Sequence, residues 1–273
     1  SQNIENKRRH TRGELLAYGF CFLLLLFILF PLLVVLADAF FPLLLEKRKV
    51  GMGLDLQGFR YVWQWYSPHL WLSLKLGILS VIACLGIGVP ASYGFLKYPG
   101  WGTQLLEEML LLPLSIPGIA LALALIQTYS ILRGAWYLIL VGHTLYALPF
   151  LVRSVTGALR QGKVLELERC AASLGASRWQ RFRYVLFPYL RHAMMVGSLL
   201  VFAISFGEFN VSFLLNTPVN QTFPAGLYLT YIQNSVSISS AATTLFLLVV
   251  IPILLALQYG GGKAADALPH QQA

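Results

Sequence analysis

Apolar residues in this chain come in long unbroken blocks separated by shorter polar ones, with no two-residue alternation. After a basic segment at Ser1–Glu14, apolar blocks occupy roughly 15–42, 69–96, 104–130, 135–156, 191–215 and 241–259. Each is close to the ~20 residues a helix needs to cross ~30 Å of hydrocarbon. Runs such as Phe20–Leu36 and Leu110–Ile126 are continuous, whereas strands of a membrane barrel alternate apolar with polar. The pattern predicts an all-α membrane protein with about six transmembrane helices. The first block is too long for the apolar region of a signal peptide and meets no small-residue cleavage site, so it reads as an uncleaved span.

The polar connections predict the topology. Residues 43–67, with Gly51, Gly53 and Gly58, read as an external loop, and 97–100 as a short turn. Residues 157–190 form the longest polar stretch, and 216–239 are polar but uncharged, a plain loop or a short re-entrant or amphipathic piece. With six spans, fourteen of the 20 Lys+Arg fall on the side of both termini and the 157–190 loop, and five on the other. The positive-inside rule then places both termini in the cytoplasm. The chain divides into a cytoplasmic segment 1–14, a transmembrane domain 15–259 and a flexible cytoplasmic tail 260–273.

Composition narrows the function. The sequence is 57% hydrophobic and 11% charged, against ~25% charged in soluble domains, which excludes a soluble enzyme and a disordered chain. The net charge of +9 reads as membrane anchoring rather than nucleic-acid binding. Cys21, Cys84 and Cys170 have no zinc or disulfide spacing, and the five histidines are dispersed. Gly260-Gly261-Gly262-Lys263-Ala264 lacks the upstream Gly and the hydroxyl residue of a phosphate-binding loop. No catalytic residue, metal ligand or cofactor is expected in this chain, and any energy for transport must come from a partner.

The 157–190 loop carries the most information. Glu166–Ala172 has no helix breaker, Gly175 suits a left-handed helix terminus, and Ser177 can cap a second helix. That second helix would carry Trp179, Phe182, Val185 and Leu186 on one face until Pro188 breaks the pattern. Ala171, Ala172, Gly175 and Ala176 gather at the bend, where small side chains let another protein's backbone approach. The loop reads as a knob built for a socket.

These residues resemble the EAA loop of the permease subunits of type I ABC importers. Ala171, Gly175-Ala176 and Pro188 match it, accompanied by Leu174, Trp179 and Phe182. Leu112-Pro113-Leu114-Ser115-Ile116-Pro117-Gly118 is similar to the family's proline-bearing third span. Ser205-Phe206-Gly207-Glu208-Phe209, with Thr222-Phe223-Pro224-Ala225-Gly226-Leu227, is similar to the fifth span and external loop of its polyamine, ferric-iron, thiamine and phosphonate branch. Aligned on Gly175, the glutamate position holds Arg169 and the first alanine Cys170, while Glu168 stands one residue early. The resemblance implies a type I importer permease fold over about 60–259 in a bacterial inner membrane. It implies a second permease subunit, an ABC ATPase dimer holding ATP and Mg2+, and an extracytoplasmic binding protein. It also implies that the loop docks on the ATPase, through a contact that Glu168 or Glu166 supplies or that is weaker here. The imperfect motif favours a heterodimeric permease.

Glu208 is the acid placed deep within a span, where an ionisable group is a functional candidate by default. With Ser205, Asn210 and Ser212 it forms a polar stripe that either lines the pathway or hydrogen-bonds between helices. Pro113 and Pro117 either open the third span toward the pathway or bend it for packing. Lys75 is expected to snorkel. The rival function is an ATP-independent scaffold or channel-like protein whose 157–190 hairpin binds anionic lipid through Arg178, Arg181 and Arg183.

Overall fold

The computed structural model describes residues 2–41 and 56–266, and the described residues are helices joined by short turns. The helices are α1 (Gln2–Phe40), α2 (Gln57–Lys97), α3 (Trp101–Leu111), α4 (Gly118–Thr128), α5 (Trp136–Gln161), α6 (Val164–Ser173), α7 (Arg178–Arg181), α8 (Phe187–Gly207), α9 (Asn210–Leu215), α10 (Phe223–Gln233) and α11 (Val236–Asp266). Among the described residues, five stretches are long and apolar enough to cross a membrane: Ala17–Phe40, Gln57–Lys97, Trp136–Gln161, Arg178–Gly207 and Val236–Ala256. A sixth is the pair Trp101–Leu114 and Gly118–Thr128, bent by 106°.

The bend follows from its prolines. Pro113 has no N–H to continue α3, and Leu112–Leu114 tightens into a 3-10 turn. Ile116, preceding Pro117, is disfavoured in helical conformation. Pro117 is extended (φ −55°, ψ 134°), and α4 restarts with Leu121 N–H donating to the Pro117 carbonyl at 3.1 Å.

Two compact units are present. One comprises residues 1–64 and 229–245. In it Phe40 packs on Phe59 with ring centroids 5.0 Å apart, and a Cβ on Gly58 would stand 3.1 Å from Ala241 Cβ. The apolar side chains of Tyr18–Leu33 are exposed.

The other unit holds residues 65–228 and 246–273. Its core is α5 with α8 and the second half of α2, meeting at Cys84, Leu148, Leu151, Val152, Leu190 and Val201. Small residues set this closeness, as in membrane bundles generally. A Cβ at Gly197 of α8 would lie 2.6 Å from Leu151 Cδ1, and one at Gly88 of α2 would lie 3.0 Å from Leu151 Cδ2. A second cluster joins α4, α5 and α9 at Leu125, Ile139, Val211 and Leu215, where Gly142 admits Val211.

Several boundaries differ from the sequence reading. α2 begins at Gln57, so 57–67 is helix rather than loop, and 42–55 lie outside the described residues. The fifth span ends at Gly207 instead of running to 215, and α9 comes after it as a separate short helix. Residues 223–233 are helical within the 216–239 connection. α11 continues through Gly260–Gly262 to Asp266, where a flexible tail is expected; residues 267–273 of that segment lie outside the described residues. Glycine lowers helix propensity by only ~1 kcal/mol per residue, and three in a row do not stop a helix already nucleated by 24 residues upstream.

Replacing Gly197 with Val should cost about 1–3 kcal/mol through overpacking against Leu151, read as a lower thermal midpoint of the detergent-purified protein. An unchanged midpoint would show that the α5–α8 contact is loose enough to absorb the side chain.

Candidate functional site

The hairpin between α5 and α8 is built by local chemistry. α6 ends in a left-handed Gly175 with φ +84°. Ala176 N–H donates to the Ala171 carbonyl and Gly175 N–H to that of Ala172, each at 3.0 Å. This pair of bonds is the Schellman arrangement. Ser177 then caps α7: Gln180 N–H donates to Ser177 Oγ at 3.3 Å, and Ser177 N–H donates to Gln180 Oε1 at 2.7 Å. The reciprocal bonds form a capping box.

Pro188 does not interrupt the helical path from α7 into α8. Phe182–Leu186 widens into a π-turn, with Phe187 N–H reaching back to the Phe182 carbonyl, and Pro188 continues into α8. The wider turn absorbs the missing Pro N–H that would otherwise interrupt the ladder.

The tip of the hairpin faces away from the rest of the chain. Leu174 is 89% exposed, Trp179 66% and Tyr184 71%. No heavy atom lies within 4 Å of where a Gly175 Cβ would be. Ala171, Leu174, Gly175, Ala176, Gln180 and Tyr184 line a hollow of about 340 Å³. Ala172, Arg169, Cys170 and Glu166 are exposed, with Glu166 4.0 Å from Lys163. Trp179 and Phe182 stack at 5.6 Å.

Glu168 points the other way and is buried. Tyr93 Oη donates to its Oε2 at 2.5 Å. Lys97 Nζ (3.3 Å) and Arg181 Nη1 (3.1 Å) donate to its Oε1, and Lys97 Nζ also donates to Tyr93 Oη at 2.8 Å. Burial pushes the Glu168 carboxyl up, but the hydrogen bonds from Tyr93 and Lys97 and the charges of Lys97 and Arg181 outweigh it and hold it below the usual carboxylate range. Beside this cluster lies a cavity of about 820 Å³ between α2 and the π-turn region.

Of the polar stripe, the structure brings Ser205, Ser212 and Glu208 together in the interior and leaves Asn210 exposed. Glu208 Oε2 accepts from the N–H groups of Val211 (2.8 Å) and Ser212 (3.0 Å), closing the first turn of α9. His143 of α5, 1% exposed, links the group: Nε2 bonds Ser212 Oγ at 2.7 Å and lies 3.9 Å from Glu208 Oε2. Ser205 Oγ lies within hydrogen-bond distance of both Ser80 Oγ (3.2 Å) and His143 Nδ1 (2.9 Å). Pro117 is exposed and Pro113 half-buried at the bend beside this network. There Gly118 gives room, since its Cβ would stand 3.0 Å from Asn210 Cβ and 3.4 Å from Glu208 Oε1.

The roles of His143 and Asp38 escaped the sequence reading, and Lys75 gains a contact beside the one expected. His143 looked like one of five scattered histidines, and only the fold reveals its serine partners. Asp38 of α1 is a second buried acid within a span, accepting from Ser240 Oγ at 2.9 Å; its place in an apolar block was the available signal. Lys75, expected to snorkel, is exposed and places Nζ 3.8 Å from the centre of the Trp136 ring in a cation–π contact.

Comparison with known proteins adds the family. Residues 84–260 match the family described as binding-protein-dependent transport system inner membrane component. The molybdenum transport system permease protein ModB of Escherichia coli K12 is 30% identical over 205 residues, covering 68% of this chain and 86% of ModB. The spermidine/putrescine transport system permease protein PotC of the same organism is 25% identical over 258 residues, covering 89% and 92%. The putative 2-aminoethylphosphonate transport system permease protein PhnV of Salmonella typhimurium is 26% identical over 190 residues, covering 68% and 71%. Among solved structures, a bacterial ABC transporter that imports alginate superposes with a TM-score of 0.69 at 16% identity over 90% of this chain and 95% of its own. The MetNI methionine ABC transporter does so with 0.60 at 20% identity over 71% and 93%.

The depressed Glu168 carboxyl has a pH consequence. Its contribution to stability is present above the ordinary value of 4.5 and is lost as pH falls through the lower folded-state value. The wild-type chain should exceed Glu168→Gln by about 2 kcal/mol near neutral pH, and the gap should close as pH falls below 4.5. Parallel pH profiles of the two thermal midpoints would mean the cluster does not hold the carboxylate. Separately, Glu208→Ala leaves two buried N–H groups unpaired and should cost about 1–3 kcal/mol, measured in the same assay.

Proposed function

The chain belongs to the binding-protein-dependent transport family and is a multi-pass permease subunit of an ABC importer in a bacterial inner membrane, and we propose that its 164–186 hairpin is the element that docks on the ATPase. On this reading both termini and the hairpin lie in the cytoplasm, and ATP and Mg2+ are bound by a partner ATPase dimer. The chain forms half of the pathway with a second, different permease subunit. A binding protein delivers a small polar solute to the outer side.

One observation carries the docking reading: the apolar tip of the hairpin is unfilled on its outer side. Leu174 and Trp179 stand in the open on a rigid Schellman corner and capping box, with small Ala172 and Gly175 between them. A lipid-binding hairpin would bury bulky apolar residues along a continuous face; here the most exposed apolar residue of the hairpin, Leu174, stands at a corner of small ones. The solute class is taken from the relatives, whose names carry molybdenum, spermidine, putrescine and 2-aminoethylphosphonate; ferric iron and thiamine complete the panel. The choice within it does not rest on Glu208, whose Oε2 already accepts from the α9 backbone.

Leu174→Asp tests the docking. The residue touches little of its own chain, so the variant should insert and purify like wild type. It should lose the co-purifying ATPase and drop ATP-driven uptake of whichever panel solute the wild type carries by tenfold or more, about 1.4 kcal/mol of coupling. Retained uptake with the ATPase still co-purifying would discard the docking role of the hairpin tip and place the ATPase contact elsewhere on the permease.

A further inference from the structure

The hairpin is joined by the chain itself to α5 and α8, so those two helices must move with it. α2 has no such link: Lys97 and Glu168 are 71 residues apart in sequence. Yet the last turns of α2 reach the hairpin through Tyr93 and Lys97, and both bond the same carboxylate that Arg181 of α7 bonds. One acid therefore ties three helices.

α2 also packs on α5 here, with Val89 in one apolar cluster with Leu151, Val152 and Leu186 and Ser92 Oγ donating to the Val152 carbonyl at 3.5 Å, and the polar tie from its last turns to the hairpin is this carboxylate. Leu85, Val89 and Pro90 of α2 and Phe182 and Leu186 of the π-turn line the cavity of about 820 Å³, and beside it the polar cluster joins the last turns of α2 to α6 and α7. Pulling the carboxylate from its donors would leave a buried charge without partners, a costly state. Moving α2 along with the hairpin avoids it. α2 is able to swing, because Pro90 removes one helical hydrogen bond seven residues before Lys97.

The register of α6 agrees. Successive helix residues are rotated by ~100° about the axis. Arg169, at the position that aligns with the motif's glutamate, is exposed, and Glu168 one step back faces inward.

We propose that Glu168 is a positioning residue that carries hairpin movement to the end of α2, hinged at Pro90, and is not a contact for the ATPase. This rests on the docking reading above. The hairpin then moves three helices through two covalent joints and one ionic latch.

The test is hydrogen exchange with mass spectrometry on the complex purified with its ATPase, compared between the nucleotide-free and the ATP–vanadate-trapped states. In wild type, exchange should change by about fivefold or more in both 164–186 and 89–97. In Glu168→Gln the ATPase should still co-purify and 164–186 should still respond, while the response at 89–97 falls below about twofold. Tyr93→Phe, which removes one hydroxyl and keeps every charge, should weaken it in the same direction. A full response at 89–97 in both variants overturns the latch and leaves the docking reading standing. Loss of the ATPase from Glu168→Gln, with Tyr93→Phe unaffected, makes Glu168 an ATPase contact and also overturns the latch. No response at 164–186 in wild type removes the docking reading, and the latch with it.

Discussion

Within hydrocarbon every backbone N–H and C=O has to find its partner inside the protein. The rest of this structure depends on how that constraint is met where the helices are interrupted. Three interruptions among the described residues are each repaired by a local device. At Pro113–Pro117 the chain turns by 106°, with 3-10 bonds from Ser115 and Ile116 bridging the gap. Near Pro188 a π-turn lets α7 run on into α8. At Gly207–Phe209 the Glu208 carboxylate supplies the acceptor that α9 would otherwise lack.

That repair accounts for Glu208 without invoking substrate. Oε2 of this carboxylate accepts two backbone N–H groups, with His143 tied through Ser212 beside it, which gives the acid a structural duty in its own chain. The same economy appears at Gly118, Gly142 and Gly197, where missing side chains are filled by Asn210, Val211 and Leu151. Bilayer helices gain no hydrophobic drive from meeting one another, so close approach and satisfied polar groups must supply the contact energy. The interior of this unit is built from both.

Legibility in the sequence depends on how local each signal is. The blocks revealed the spans because hydrophobic length is a local property. Gly175 and Ser177 revealed the hairpin because helix ends are decided by residues a turn or less apart. The site was less legible. His143 acquires meaning only beside Ser205 and Ser212, 62 and 69 residues away. Tyr93 and Lys97 read as the end of a span, and nothing near them announces Glu168. The start of α2 at Gln57 was missed because Gly58 looks like a loop residue, whereas it is glycine so that α11 can approach at Ala241.

The displaced acid of α6 joins these threads. A shift of one residue along a chain is trivial in sequence and large on a helix, where ~100° of rotation separates an outward side chain from an inward one. On the outer face the shift leaves the exposed Arg169, a positive charge at the position that aligns with the motif's glutamate. On the inner face it delivers a carboxylate to α2, which supplies Tyr93 and Lys97 to receive it. Had Glu168 simply been a misplaced contact residue, nothing would require three donors from two other helices to converge on it. Their convergence makes the displacement a feature of how this hairpin is held.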